Sequence, residues 1–463
     1  MSKTDARGTG HTSTIGFYGG VGSVTGANFL INTGNTQILL DCGMVQGDRF
    51  AAAKNQEPFP YNPADVSTLI VSHAHADHIG RIPKLVRDGF QGVIYSTTAT
   101  RDLAEVMLRD AYKIMRMESK RYHEPVLYEE SDIDAALALW KGVAYKEEIR
   151  LSDGVSGMLY NAGHILGSSF IELSRNGRQM VYTGDVGNIP QPLLDAPDMP
   201  TGYQYLITES VYGDRVHEEV DERAQLLLSY IKDTIASKGT LIIPAFSLER
   251  TQSMLFEINN FVESGMVEPI PVFLDSPLAI AVTGLYRKHQ SFLKKEVRTQ
   301  IAEGDDIFAF PKLSFTRSVE DSREIARTPG PKIIIAGSGM SHGGRIRTHE
   351  KHYLSDPDTT LLLVGYQAVG SMGRRLQDGV PKIQIDGVDV RVRARIATIS
   401  GYSGHADREG LMDLVAAGGD HIEQIFVAMG EEKSSLFLTQ RLRGFLGANA
   451  VAPETGSVVS INL

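Results

Sequence analysis

Six residues set the first question. His73-Ala74-His75-Ala76-Asp77-His78 places three imidazoles and a carboxylate together, immediately after the apolar run Ser67-Thr68-Leu69-Ile70-Val71. Neutral imidazole and carboxylate are the usual ligands of zinc and of borderline metals in general. His73 and His75 alternate, so on an extended segment both rings face one side. A lone histidine is ordinarily a surface or core residue, but this density of ligands at a strand end has no packing rationale. His164 and Asp185 occupy similar places, each ending an apolar strand and each beside a glycine, Gly163 or Gly184. Glycine there lets the backbone approach a crowded centre. The set divides naturally. His73, His75 and His164 can hold one metal, and Asp77 and His78 a second, with Asp185 bridging. Two metals about 3.5–4 Å apart stabilise both the attacking and the leaving oxygen of a phosphoryl transfer, and a bound water of pKa ~7 supplies the nucleophile.

The elements that must position these residues follow from pattern. A strand is expected at Ile15–Tyr18, a hairpin from Asn28–Asn32 and Thr36–Leu40 around Thr33-Gly34-Asn35, a strand buried on both faces at 67–71, and further strands at 158–160, 169–173, 179–182 and 205–208. Residues 97–144 read as helical and charged. Beyond Glu209, helices at 222–237 and 249–263 alternate with short apolar strands at 240–244, 271–274, 331–335 and 360–364, which predicts parallel βαβ units. A β-rich pattern is expected from about Ile396 to the end. One domain interrupted by another is the sensible topology.

Bulk properties narrow the class. At 463 residues the chain exceeds one ordinary core. Its net charge of -10 excludes nucleic-acid binding through the overall field, so a polyanion needs a local basic patch. A single cysteine, Cys42, excludes an intramolecular disulfide and a Cys-rich zinc site, and is expected to be a small buried residue. No apolar run is long enough for a bilayer and the first residues lack a signal-peptide pattern, so a cytoplasmic location is the default.

The motif His73–His78, with Asp41, His164 and Asp185 in order, resembles the metallo-β-lactamase superfamily. Thr208-Glu209-Ser210-Val211-Tyr212-Gly213 resembles the start of a β-CASP insertion. Ile243–Gln252, Asp275–Ala279, Gly337–Met340, Gly343–Arg345 and Gly365-Tyr366-Gln367-Ala368 are similar to segments inside it, and Ser403–Asp407 to its second motif. The resemblance spans roughly residues 15–460 and points to RNA-processing nucleases similar to ribonuclease J and to the pre-mRNA 3′-end endonuclease, in short single-chain form.

The resemblance implies an α/β fold: an αββα metallo-β-lactamase sandwich (15–208 and 400–463) interrupted by an α/β β-CASP domain (209–399) with a parallel sheet, after a disordered tail (1–14). It implies a metal-dependent ribonuclease, endo- or 5′-exonucleolytic, in which metal-bound hydroxide attacks the phosphodiester. Single-stranded RNA is the expected partner, and a homodimer is compatible with the reading. Two Zn2+ ions are the expected cofactors, with Mn2+ as the alternative. Asp77 and Asp185 would be catalytic as well as metal-binding, Asp41 would orient the metal ligands from behind, Glu209 would orient His405, and His405 would protonate the leaving oxygen.

One departure matters. The family usually carries a metal-ligating His before Gly-Glu after an apolar strand, and here Ile425–Ala428 is followed by Met429-Gly430-Glu431. A thioether suits zinc beside carboxylates poorly, so the second metal is expected to bind more weakly. His421, at the far end of that strand, is no substitute. A catalytically weakened or inactive RNA-binding homologue is therefore the alternative. An acyl or thioester hydrolase is disfavoured by the long insertion, and a DNA nuclease of the same group remains open.

Phosphate contacts are expected from Ser338, Ser341, Arg345, Arg374 and Ser403, where arginines and hydroxyls neighbour glycines. Arg391, Arg393 and Arg395 alternate and are expected to line one strand face, either solvated or functional. His342, His349 and His352 match no metal motif and are read as surface or RNA-facing residues.

Overall fold

The computed structural model describes residues 13–47, 50–123, 125–217, 222–365, 367 and 370–463. Two compact units divide the chain. The first comprises Met1–Gly187, Pro197–Val216 and His405–Leu463; the second comprises Asn188–Ala196 and His217–Gly404.

The first unit is built on two seven-stranded sheets. One runs Val458–Ile461, Ser13–Gly19, Asn28–Asn32, Gln37–Leu40, Val66–Ile70, Val93–Thr97, Trp140–Val143. It is antiparallel up to Gln37–Leu40 and parallel beyond. The other runs Ala450–Val451, Gln424–Val427, Tyr205–Thr208, Arg178–Tyr182, Ser169–Arg175, Ser156–Asn161, Ile149–Arg150. Alternating side chains of both sheets form one apolar layer: Phe17, Phe29, Ile31 and Ile70 from the first, Leu159, Ile171, Tyr182 and Phe426 from the second. Each of these large side chains contributes about 1.5–3 kcal/mol on burial. The outer face of the second sheet is covered by helices Arg408–Gly418 and Glu432–Leu446, through Leu411, Leu414, Leu438 and Leu442. The outer face of the first carries Thr98–Tyr122, which packs on Val93–Thr97 and Trp140–Val143. The result is the αββα sandwich that the resemblance implied.

The second unit holds a six-stranded sheet in the order Leu313–Phe315, Val272–Asp275, Lys332–Ala336, Thr240–Pro244, Thr359–Val364, Arg395–Ile399. Every pairing in it is parallel. Its strands are nearly continuous apolar runs because helices cover such sheets on both faces.

Several expectations need correction. Ser13 and Thr14 belong to the first strand and pair with Ile461 and Ser460, so they are not tail; residues 1–12 lie outside the described residues. Tyr366 and Ala368 of the Gly365–Ala368 motif also lie outside them. Trp140–Val143 is a strand within the stretch read as helical. The C-terminal part is not uniformly β-rich: it contains the two helices Arg408–Gly418 and Glu432–Leu446. Arg391 ends one strand of the hairpin Lys382–Ile385/Val388–Arg391, and Arg395 begins another strand in a different sheet, so the three arginines share no strand face. No helix among the described residues is long and apolar enough to cross a membrane.

Candidate metal centre

The chemistry-bearing residues of the first unit leave the C-terminal ends of neighbouring strands. Asp41 follows Gln37–Leu40 and His73 follows Val66–Ile70; in the facing sheet His164, Asp185, Glu209 and Met429 follow Ser156–Asn161, Arg178–Tyr182, Tyr205–Thr208 and Gln424–Val427. Strand ends free their side chains from the sheet faces, and neighbouring strands bring them together. The turn Ala76–Ile79 is a short helix with His75 at its N-cap, which folds Asp77 and His78 back beside His73. Close backbone approach makes this possible. Gly43 lies so near Asp77 that a Cβ would sit 1.5 Å from its carbonyl oxygen, and Gly184 adopts φ 52° with only 2.6 Å from a would-be Cβ to Ser72 Cβ.

Four ligand atoms converge. His73 Nε2 lies 3.0 Å from His75 Nδ1, which lies 3.2 Å from His164 Nε2. Asp185 Oδ2 is 3.3 Å from His73 Nε2 and 3.4 Å from His164 Nε2. A tetrahedral ion with bonds of about 2.0–2.1 Å has ligand–ligand edges of about 3.3–3.4 Å. The four atoms lie within 4.8 Å of one another, so they fit such an ion. On the other side of Asp185, Oδ1 lies 3.3 Å from His78 Nε2, and both atoms are buried without a hydrogen-bond partner. Asp77 Oδ2 stands 4.0 Å from His78 Nε2. Buried polar groups left unpaired are costly, so two orphans facing each other mark a place for a cation.

Charge is organised to match. Burial, reinforced by neighbouring imidazoles, pushes His73 and His75 below the usual histidine range, which keeps their lone pairs available. Burial would also lower His78, but Asp185 and Asp41 outweigh it and hold it well above that range. Burial would raise Asp185, yet His78, His73 and His405 hold it far below the carboxylate range. Asp77 is raised by burial, with His78 acting against that rise.

Asp41 is fully buried with φ 58°. Its Oδ1 accepts the Ser72 amide at 2.7 Å; its Oδ2 accepts the Ser72 and Tyr182 hydroxyls, each at 2.7 Å, and meets His78 Nδ1 at 2.7 Å. Ser72 Oγ in turn lies 3.0 Å from His73 Nδ1. A carboxylate only accepts, so this network assigns a proton to Nδ1 of His78. Ser72 gives its hydroxyl proton to Asp41 and so accepts one from Nδ1 of His73. Both histidines thereby aim Nε2 at the centre: His73 presents its lone pair there, and His78 would present one once a bound metal displaces its second proton. Ser72 and Tyr182 were missed by sequence reading; a hydroxyl directly preceding His73 is the one signal that could have drawn attention.

Glu209 is fully buried, and burial raises its carboxyl while His405 opposes that rise. Its Oε1 accepts the Val186 amide at 2.5 Å and meets His405 Nδ1 at 3.2 Å. His405 Nδ1 is also 3.9 Å from Asp185 Oδ2, and its ring packs tilted against His164, with centroids 4.6 Å apart. The bridge Gly187–His405 and the Ala406 amide on Val186 O fix this segment beside the cage.

The remaining candidates lie in the second unit, and the geometry gives most of them structural work. Arg345 donates to Asp275 Oδ1 at 2.7 Å and to the Thr316 and Arg317 carbonyls, both at 2.9 Å. Asp275 would be raised by burial, but hydrogen bonds from His349, Ser322, Thr316 and Arg345 hold it at about 2. His349 is therefore a buried partner of Asp275, at 2.7 Å, and not a surface residue; His342 and His352 are exposed as expected. Ser341 is buried and donates to Glu350. Ser338 Oγ accepts the His342 and Gly343 amides at 3.1 and 3.2 Å, Arg374 pairs with Asp378 at 2.9 Å, and Ser403 is buried. Cys42 is buried, as expected, and its thiol is pushed up to about 12 by that burial.

Comparison with known proteins bears on the same regions. Residues 30–206 match the model of a metallo-beta-lactamase superfamily domain, residues 251–376 a Beta-Casp domain, and residues 389–453 a Zn-dependent metallo-hydrolase RNA specificity domain. The chain is 36% identical to a protein named Ribonuclease TTHA0252 from Thermus thermophilus, over 92% of this chain and 95% of that one. It is 30% identical to an RNase J-like protein of Methanocaldococcus jannaschii, over 96% and 99% of the two chains. It is 32% identical to transcription termination factor FttA of Methanothermobacter thermautotrophicus, over 92% of this chain and 68% of that one. A solved structure from Enterococcus faecalis, of a protein of unknown function, shares the fold at TM-score 0.60 and 12% identity, over 97% of this chain and 100% of that one.

Proposed function

We propose, from the premise that this chain belongs to the β-CASP group of the metallo-β-lactamase superfamily, that it is a metal-dependent ribonuclease hydrolysing phosphodiester bonds of single-stranded RNA. The observation that carries the reading is the closed cage of His73, His75, His164 and Asp185 with the Glu209–His405 pair against it. Relatives named as ribonucleases, and the match to an RNA specificity domain, support RNA as the substrate class.

His73, His75, His164 and Asp185 would hold one metal, and Asp77, His78 and Asp185 the other. Zinc suits this nitrogen-rich donor set, and manganese is the alternative. When bound, the metals supply Lewis acidity toward the phosphoryl oxygens and an ionised water at neutral pH. The chain's own residues do the rest. Asp41, directly and through Ser72, keeps the Nε2 lone pairs of His78 and His73 facing inward. Asp77 and Asp185 supply negative charge that keeps the dications in place. Glu209 holds His405 by Nδ1, so that Nε2 is the nitrogen that would pass a proton to the leaving oxygen. Phe17, Phe29, Tyr182 and Met429 are buried together in the apolar layer of the same unit.

The first unit would carry the chemistry and the second would hold RNA, with 209–399 as the functional insert and the cytoplasm as the compartment. Met429 motivates a second reading, an RNA-binding homologue of weakened activity. The retained Glu209–His405 pair supports the active one, because a decayed site has no reason to keep both. Labelled single-stranded RNA incubated with the purified chain and added zinc or manganese distinguishes them. Metal-dependent cleavage that Asp77→Ala removes is expected. Inertness of the parent, indistinguishable from Asp77→Ala, would leave only the binding role.

A further inference from the structure

The two halves of the centre are unequally built. The first half closes a four-donor cage whose atoms all lie within 4.8 Å of one another. Asp77 and His78 join no cluster of three or more such atoms among the described residues. Their own separation of 4.0 Å can be spanned by two bonds of about 2.1 Å only at a wide angle of about 145°. Asp41 engages His78 from behind at Nδ1, so on the Nε2 side the one further carboxylate close to His78 among the described residues is the shared Asp185, at 3.3 Å.

Among the described residues nothing further completes this half, and Met429, which stands where the resemblance implies a ligating histidine, does not serve. It is fully buried in the apolar cluster with Phe17, Phe29 and Tyr182. Its sulfur lies so close to Gly20 that a Cβ there would come within 2.3 Å of it, and its amide donates to Gly20 O at 2.6 Å. The Ser210 amide donates to its carbonyl at 3.2 Å, so its backbone is fixed from both sides. The thioether is thus core packing, carries no charge, and is a soft donor in any case. What the second half lacks is one hard, anionic donor on its open side. Asp77 is 20% exposed while His78 and Asp185 are buried, so the open side is the Asp77 side, towards solvent.

We propose that the second metal ion is loaded together with the substrate: Asp77, His78 and Asp185 hold it weakly in the free protein, and a non-bridging phosphodiester oxygen completes its coordination. This rests on the reading of the chain as an RNA phosphodiesterase. The anionic oxygen supplies the missing hard donor, and a phosphate binding beside the dication does so with little water between them. Coupling of this kind is reciprocal, so the second metal strengthens RNA binding by the factor by which RNA strengthens the metal. The centre would then be complete only when RNA is in place.

The test titrates the metal-stripped full chain with zinc or manganese by calorimetry, alone and with a 2′-O-methyl single-stranded RNA. RNA binding is followed separately by fluorescence anisotropy. Alone, one tight equivalent and a second at least tenfold weaker are expected. With RNA, the second should tighten at least tenfold, and anisotropy should show the same gain on adding the second metal. An oligomer with methylphosphonate linkages, which lacks the anionic oxygen, should give no gain. Asp77→Asn should lose the second equivalent and keep the first. Two equally tight equivalents without RNA overturn the proposal. So does RNA that binds, and in unmodified form is cut, while the second equivalent stays unchanged; the ribonuclease reading then survives. RNA that neither binds nor is cut overturns both.

Discussion

Replacing Asp41 by Asn tests how the metal centre is set up from behind. The side chain keeps its shape, so Oδ1 can still accept the Ser72 amide. At the other end an NH2 group replaces the oxygen that takes the Ser72 and Tyr182 hydroxyls and faces His78 Nδ1. The hydroxyls can rotate to accept, but one or two buried bonds stay unmade. At about 1–3 kcal/mol for each, the loss is about 1–6 kcal/mol. A typical domain stability of about 5–15 kcal/mol tolerates that, so the variant should fold. The same NH2 donates into His78 Nδ1 and drives the proton to Nε2, which removes that lone pair from the centre. Loss of such an orienting partner typically costs about 10–100-fold in metal affinity. The second metal, measured with RNA present, should weaken by that factor. The first should weaken less, because His73 feels Asp41 only through Ser72. Denaturant unfolding and metal calorimetry on the same preparation check both numbers. Asp41→Asn with parental metal affinities would refute the proton assignment, and a stability change under about 0.5 kcal/mol would refute the hydrogen-bond arithmetic.

Other perturbations separate chemistry from scaffolding. His405→Ala should slow single-turnover RNA cleavage about 10^2–10^4-fold with both metal equivalents retained, and Glu209→Gln should do so less severely; metal loss in either would make the pair structural. Arg345→Met should cost about 1–3 kcal/mol in stability, because Asp275 loses one of its donors, and should leave RNA affinity within about twofold. A large affinity loss with an unchanged melting curve would restore Arg345 as a phosphate contact. Glu350 is pushed up to about 8 by burial, against the pull of Ser341 and Arg347. The folded state therefore holds this proton more tightly than the unfolded chain, whose carboxyl titrates near 4.5. Its contribution is complete below that pH and is lost as pH rises through 8. Glu350→Gln should match the parent near pH 5 and exceed it above pH 8 by on the order of 2–4 kcal/mol; parallel unfolding curves across that range would contradict the burial argument.

Strand-end chemistry was readable because apolar runs are short and their polar terminators stand out, as at Val71-Ser72-His73 and Tyr182-Thr183-Gly184-Asp185. The alternation of strands and helices after Glu209 was equally legible, and the sheet there is parallel throughout. Trp140–Val143 was not. Its burial pattern has only its two ends inside, and the helix that precedes it, Glu130–Ala138, dominates any window over it. Helix Arg408–Gly418 carried a readable period in Leu411, Leu414 and Val415, but the preceding strand signals masked it. The arginine and histidine clusters misled for a different reason. A charged side chain beside glycines suits a phosphate, yet Arg345 and His349 converge with Ser322 and Thr316 on Asp275, which is 40 or more residues away in sequence from each. Pairing over such separations has no local signature. Met429 was visible as a departure, but its packing on Gly20 was not.

The His73–His78 segment, closed by His164 and Asp185, equips this chain as a metal-dependent RNA hydrolase. The most direct measurement is the rate at which metal-stripped protein, reloaded with zinc or manganese, cuts end-labelled single-stranded RNA, beside Asp185→Asn prepared identically. Asp185 reaches both halves of the centre, at 3.3 Å from His73 and from His78. Cleavage should appear on reloading and fall at least 10^3-fold in the variant, on the order of the loss seen for a group stabilising the transition state. Cleavage that persists in Asp185→Asn, or that never appears in the reloaded parent, would contradict it.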